Sequence, residues 1–166
     1  MDITERLEAI DEISRLKARY FRCVDTHDWE AFITLWAHDA VMDMSDEFRE
    51  FAKRHRDALV DDVPDAGSQQ LSDGVSHGPA EITAFVQGVA GRMQSVHHGH
   101  TPEIELTSGT TATGVWPMED RMWWSGADGR PHHLHGYGHY HETYVKEHGR
   151  WLIARTRLTR LRVDVD

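Results

Sequence analysis

The chain has 166 residues, 28% charged and 39% hydrophobic, the proportions of an ordinary globular domain with a core of its own. A formal net charge of −10 speaks against nucleic acid or an anionic membrane as the main partner. No apolar run is long enough to span a bilayer, and a single cysteine, Cys23, excludes an internal disulfide framework.

Met1-Asp2-Ile3-Thr4-Glu5-Arg6 has neither the basic segment nor the apolar segment of a signal peptide, so a cytoplasmic location is expected. Residues 2 to about 25 then read as an amphipathic helix. Asp2 with Glu5 has the spacing of a capping box. Ile3, Leu7, Ile10, Ile13, Leu16, Tyr20 and Val24 follow 3-and-4 spacing along one stripe. Cys23, with no dedicated base nearby, reads as a structural thiol. Asp28 can cap a second helix from Trp29 to Ala37. A short strand is expected over Ala40–Met44.

Residues 45–78 carry a plausible helix start at Ser45-Asp46-Glu47, then loop material as far as Gly78. A loop this long in one compact domain suggests a partly helical lid. Pro79 opens another helix, with Ile82, Phe85, Val86, Val89 and Met93 on its core face. Strands are expected at about 96–108, 110–124, 132–147 and 150–163. Short turns separate them, which makes neighbours antiparallel. Helices first and a curled antiparallel sheet after them define a single α+β domain over residues 1–166.

Asp120 is the most informative position. Period-2 alternation places it on one strand face with Ala112, Gly114, Trp116, Met118, Met122 and Trp124. A carboxylate on so apolar a face must find a partner or titrate upward. Arg160 is a second charge on a largely apolar strand face, that of Leu152, Ala154, Thr156 and Leu158, and could be that partner, or could bind a substrate oxyanion. Tyr20 lies on the inward stripe of the first helix, where its hydroxyl could donate to a carbonyl or bond to backbone. Asp25 closes that helix at the negative end of its dipole, so it needs a cationic or hydrogen-bonding partner.

His97, His98 and His100 lie just upstream of Asp120. His97 and His98 point to opposite faces, so at most one of them can meet Asp25. Trp116, Met118 and Met122, with His100, are candidates to line a substrate pocket. A second group, His132, His133, His135, His139 and His141, could bind a divalent ion, line an oligomer interface or face water. Trp123 points away from Trp124 and is a candidate interface residue.

Two blocks carry a resemblance to a known family. One is Leu16-Lys17-Ala18-Arg19-Tyr20-Phe21-Arg22-Cys23-Val24-Asp25. The other is Gly99-His100-Thr101-Pro102-Glu103-Ile104, continuing through Thr111-Ala112-Thr113-Gly114 and Trp116 to Glu119-Asp120-Arg121-Met122. With the Gly149-Arg150-Trp151 turn, these make the chain resemble the nuclear transport factor 2-like, SnoaL-like superfamily. Within it, the chain looks most like the bile-acid 7α-dehydratase branch. Scytalone dehydratase and hexachlorocyclohexane dehydrochlorinase are more distant relatives.

The resemblance implies a cone-like curved sheet packed with N-terminal helices around an apolar pocket. It implies an elimination needing no cofactor and no metal, on a hydrophobic polycyclic or aromatic hydroxy-carbonyl substrate that could be a coenzyme A thioester. It places the functional positions at Tyr20, Asp25, His97, Asp120 and Arg160, and it selects His97 over its neighbours. In that scheme His97, oriented by Asp25, takes a proton, Tyr20 steadies the enolate oxygen, and Asp120 with a raised pKa helps deliver a proton to the leaving group. Isomerisation or cyclisation in the same pocket, and a non-catalytic ligand- or metal-binding role, are the alternatives. A homotrimer or homodimer is also implied.

Overall fold

The computed structural model describes residues 1–46, 74–126 and 128–166. Helix α1 spans Ile3–Asp25. Its capping box is formed: the Glu5 amide donates to Asp2 at 2.9 Å and the Asp2 amide donates to Glu5 at 2.8 Å. The buried stripe starts later than the periodicity suggests. Ile3 and Leu7 are 70% and 60% exposed, whereas Ala9, Ile13, Leu16, Tyr20 and Val24 are buried. Cys23 is buried as well.

The second helix is shorter than expected. Asp28 caps α2, Trp29–Phe32, by accepting from the Ala31 amide at 3.1 Å. A single 3-10 turn, Ile33–Leu35, follows it. Trp36 is already extended and opens strand β1, Trp36–Asp43, where the sequence suggested a strand only from Ala40. Pairing with the C-terminal strand overrides the local helical pattern, because Trp36 registers against Ile153.

Most of the expected lid, residues 47–73, lies outside the described residues. At its end the loop does not persist to Gly78: Val75–His77 form strand β2, antiparallel to β1. Helix α3, Gly78–Ala90, follows with Pro79 in its first turn and with Ile82, Phe85 and Val86 buried.

The expected strand 96–108 is two strands, β3 (Gln94–Gly99) and β4 (Glu103–Leu106). Pro102 lies in the break, where it has no amide to donate to a ladder. Both pair with β5, Thr111–Ser125. Strands β6 (Pro131–Glu147) and β7 (Arg150–Val165) complete the sheet. Its order is β2-β1-β7-β6-β5-β3, with β4 also on β5. The sheet is mixed rather than wholly antiparallel, since β1 runs parallel to β7.

The helices pack on one face of this curved sheet, and the core lies between them. Ile13, Leu16 and Tyr20 of α1 and Phe32 meet Trp116, Met118, Tyr140, Tyr144, Ile153 and Leu158 of the strands. Strand β7 departs from simple alternation. The register shifts opposite Thr143/Tyr144, so Trp151 and Ile153 face the core, not Leu152 and Ala154. Beyond the shift, Thr156 and Leu158 are buried, and Arg160 follows on the same face.

Candidate active site

Asp25 ends α1, where the helix dipole disfavours a carboxylate. Strand β3 supplies three donors that compensate. The Ser95 hydroxyl donates to Oδ1 at 2.8 Å, the His97 amide donates to Oδ2 at 2.9 Å, and His97 Nδ1 lies 2.6 Å from Oδ1. An ionised carboxylate can only accept, so Nδ1 carries a proton, and in the neutral ring Nε2 keeps its lone pair. The carboxylate thus fixes both the tautomer and the ring orientation.

The His97 ring is held on its flat side too. Phe21 lies parallel to it, with an interplanar angle of 12° and centroids 6.0 Å apart. Phe21 reaches this position over Gly99, where a Cβ would come within 2.5 Å of its Cε2 atom. The glycine therefore makes room for the ring that packs on the histidine.

His97 and Asp120 are directly opposed across β3 and β5. Nε2 lies 4.0 Å from Asp120 Oδ2, beyond hydrogen-bonding distance but well within electrostatic reach. Asp120 is almost wholly buried, and Arg160 grips it with both arms: Nη1 donates to Oδ1 and Nη2 donates to Oδ2, each at 2.8 Å. Arg160 Nη1 also approaches the Met118 sulfur at 3.6 Å.

Burial alone pushes the Asp120 carboxyl upward. The Arg160 charge and its hydrogen bonds, then His97 and the Gly136 amide, outweigh burial and hold it below the ordinary carboxylate range. The expectation of a raised pKa is therefore corrected. Burial does desolvate the carboxyl, but the guanidinium and its hydrogen bonds, with His97 and the Gly136 amide, more than offset it. Asp120 is an anion here and has no proton to donate.

The pocket-lining candidates fare differently. Trp116 is buried and its indole donates to the Tyr144 hydroxyl at 2.7 Å. Met118 is buried, Met122 half-buried, and His100 exposed where β3 ends. Tyr20 is buried among Phe21, Phe32, Trp36 and Tyr140. A surface groove of about 360 Å³, lined by Arg15, Arg19, Arg150 and Trp151 among others, contains none of the five functional candidates.

Of the second histidine group, His133, His135, His139 and His141 are on the other sheet face, whereas His132 stacks on Trp124 with centroids 5.4 Å apart. Glu119 joins His98 at 3.3 Å and His135 at 2.9 Å, and Tyr137 meets His135 at 3.0 Å. Trp123 stacks on His133 with centroids 5.2 Å apart. His139 and His141 have ring centroids 6.2 Å apart. Among the described residues no group of three or more histidine, cysteine or carboxylate side chains is placed to hold a metal ion.

Sequence reasoning missed Ser95, Gly136 and a buried polar group centred on Lys17 and Glu142. Lys17 Nζ lies 2.5 Å from Glu142 Oε1, and both side chains are fully buried. The signal was present, because Lys17 follows Ile13 by four residues and precedes Tyr20 by three, on the core stripe.

An N-terminal helical layer packed on a curved mixed sheet is the nuclear transport factor 2-like arrangement. The chain belongs to the SnoaL-like domain family, whose model matches residues 5–157. Solved structures of similar fold include a protein provisionally described as a scytalone dehydratase from Novosphingobium aromaticivorans. It has a TM-score of 0.74 and 17% identity over 98% of this chain and 91% of that one. A hexachlorocyclohexane dehydrochlorinase from Novosphingobium barchaimii has a TM-score of 0.72 and 15% identity over 99% and 94% of the two chains. A protein of unknown function from Mycobacterium tuberculosis has a TM-score of 0.68 and 21% identity over 98% and 77%. Among the described residues no helix is long and apolar enough to cross a membrane.

Proposed function

We propose that the protein is a lyase of the dehydratase type, acting on a hydrophobic hydroxy-carbonyl compound, a reading supported by its resemblance in sequence to the bile-acid 7α-dehydratase branch. The observation that carries this reading is the state of His97. Its Nδ1 is committed to Asp25, while its Nε2 faces a buried anion across the sheet. Such a base can take a proton, because Asp25 and Asp120 both stabilise the imidazolium that forms.

In the proposed reaction His97 Nε2 removes a proton from the carbon next to the carbonyl, and that C–H bond pair moves into the enolate. Tyr20 donates a hydrogen bond to the enolate oxygen. The enolate then reforms the carbonyl, a carbon–carbon double bond forms, and the β carbon–oxygen bond breaks. The imidazolium returns its proton to the departing hydroxyl, which leaves as water. No redox step is involved. The anionic Asp120 acts on His97 electrostatically, and the role of proton donor passes to the imidazolium.

Mass spectrometry over a panel of hydrophobic β-hydroxy ketones and β-hydroxyacyl thioesters tests the reading. Loss of water, abolished by His97→Ala, supports it. Deuterium uptake from heavy water without loss of water identifies an isomerase instead. Full turnover by the His97→Ala variant overturns the scheme.

A further inference from the structure

Lys17, Glu142, Tyr144, Trp116 and Thr156 form a hydrogen-bonded chain through the core. Glu142 is its hub. Oε1 takes Lys17 at 2.5 Å and Thr156 Oγ1 at 2.9 Å, while Oε2 takes the Tyr144 hydroxyl, which in turn accepts from Trp116. A fully buried ion pair of this kind is a weak source of stability, because desolvating both charges cancels most of their attraction. Burial pushes the Lys17 ammonium below the ordinary lysine value, and Glu142 opposes that push.

The pair has a direction. Its carboxylate end faces Thr156 and Tyr144. Its ammonium end sits in a cage of aromatic rings, with Nζ 3.5 Å from the Tyr140 centroid, 4.1 Å from that of Tyr20 and 4.8 Å from that of Phe21. Two of these rings belong to the candidate active site. Tyr20 carries the hydroxyl for the enolate oxygen, and Phe21 lies flat against His97. A cation against a phenol ring draws electron density from it and makes its O–H a stronger donor, most effectively where water is excluded.

We propose that Lys17, held in place by Glu142, is a positioning residue for Tyr20: its ammonium fixes the phenol ring and strengthens the hydroxyl as a donor to the substrate oxygen. The catalytic part of this rests on the dehydratase reading, whereas the coupling between Lys17 and Tyr20 does not. The two tyrosines at opposite ends of the ion pair make the contrast plain. At the carboxylate end, burial and then the Glu142 charge push the Tyr144 hydroxyl well above the ordinary phenol value. At the ammonium end, it is a cation that lies against the Tyr20 ring.

The test uses the chain's four tyrosines, labelled with carbon-13 at Cζ and assigned by single Tyr→Phe substitutions. In the double variant Lys17→Met/Glu142→Gln, which removes both charges and leaves an acceptor for Tyr144, the Tyr20 Cζ resonance moves when read at neutral pH, well below the range in which a phenol ionises. Tyr137, on the opposite sheet face, stays fixed as a reference. Lys17→Gln, whose amide can still donate to Glu142, gives the same shift and serves where the double variant does not fold. On a turned-over panel substrate both variants lower kcat about tenfold with KM little changed, the signature of an interaction made mainly in the transition state. An unmoved Tyr20 resonance in either folded variant overturns the proposal. Absence of turnover by the native protein overturns the dehydratase reading instead and leaves the Tyr20 resonance to decide the coupling.

Discussion

Asp120 and Gly136 face each other across β5 and β6, and the missing side chain of Gly136 is the space in which Asp120 meets Arg160. A Cβ at Gly136 would lie 2.4 Å from Asp120 Oδ1 and 2.3 Å from Arg160 Nη1. Neither neighbour is free to give, since each is locked into the other at two points. Gly136→Ala is therefore expected to cost about 1–3 kcal/mol, the usual range for overpacking. It should also lower turnover by displacing the anion opposite His97. Urea denaturation measures the first effect. Native stability in this variant would show that the pair has more room than the geometry gives it.

Arg160→Met tests the pair from the other side. The substitution keeps an apolar stem and removes the guanidinium, so Asp120 is left as a buried carboxylate with its chief partner gone. Breaking a buried pair in this way costs about 3–5 kcal/mol. The double variant Asp120→Leu/Arg160→Met should recover most of that loss, because no charge then remains to be desolvated. Its turnover should stay low, as the imidazolium of His97 loses its facing anion. A double-mutant cycle in urea separates the two effects.

The sequence made some of this legible and hid the rest for identifiable reasons. Asp120 was placed on the core face because β5 alternates without interruption from Ala112 to Met118. The same rule failed on β7, where the register shift beside Ala154 moves the core face to Trp151 and Ile153; a bulge leaves no mark in a period-2 pattern. The length of α2 was misjudged because β1 pairs with a strand more than a hundred residues away, and local propensity carries no trace of such pairing. The sign of the Asp120 shift was misjudged because its apolar neighbours are adjacent in sequence while Arg160 arrives from another strand. Lys17 and Glu142 each lie at a buried spacing, but their charge discouraged a buried reading until the two were seen together.

The depressed Asp120 carboxyl makes a pH prediction. Its folded value lies below its unfolded value, so its stabilising contribution is present above the unfolded value of about 3.9 and is lost as pH falls through the folded one. Asp43 and Glu119 are also held low and share this acid limb. The Asp120 share is isolated by subtraction. The stability difference between the native protein and Asp120→Asn should be constant near neutrality and shrink as pH drops below the ordinary carboxylate range. A difference that grows on acidification would mean that Asp120 is protonated in the folded protein.

Asp25→Asn bears most directly on how His97 works. Asp25 now accepts from Ser95, from the His97 amide and from His97 Nδ1. An asparagine has only one oxygen for these three donors, and its amide group would confront a donor whichever way it is turned. To keep a bond to the asparagine NH₂, the imidazole must move its proton to Nε2, the nitrogen that has to accept the substrate proton. Turnover should fall about 10²–10⁴-fold, the span of a lost general base. The fold should persist, since Asp25 is partly exposed. Nitrogen-15 spectra of the imidazole check the cause as well as the effect: Nδ1 carries the proton in the native protein and Nε2 carries it in the variant. A steep loss of turnover with the native tautomer retained would reassign Asp25 from setting the proton's position to stabilising the imidazolium's charge.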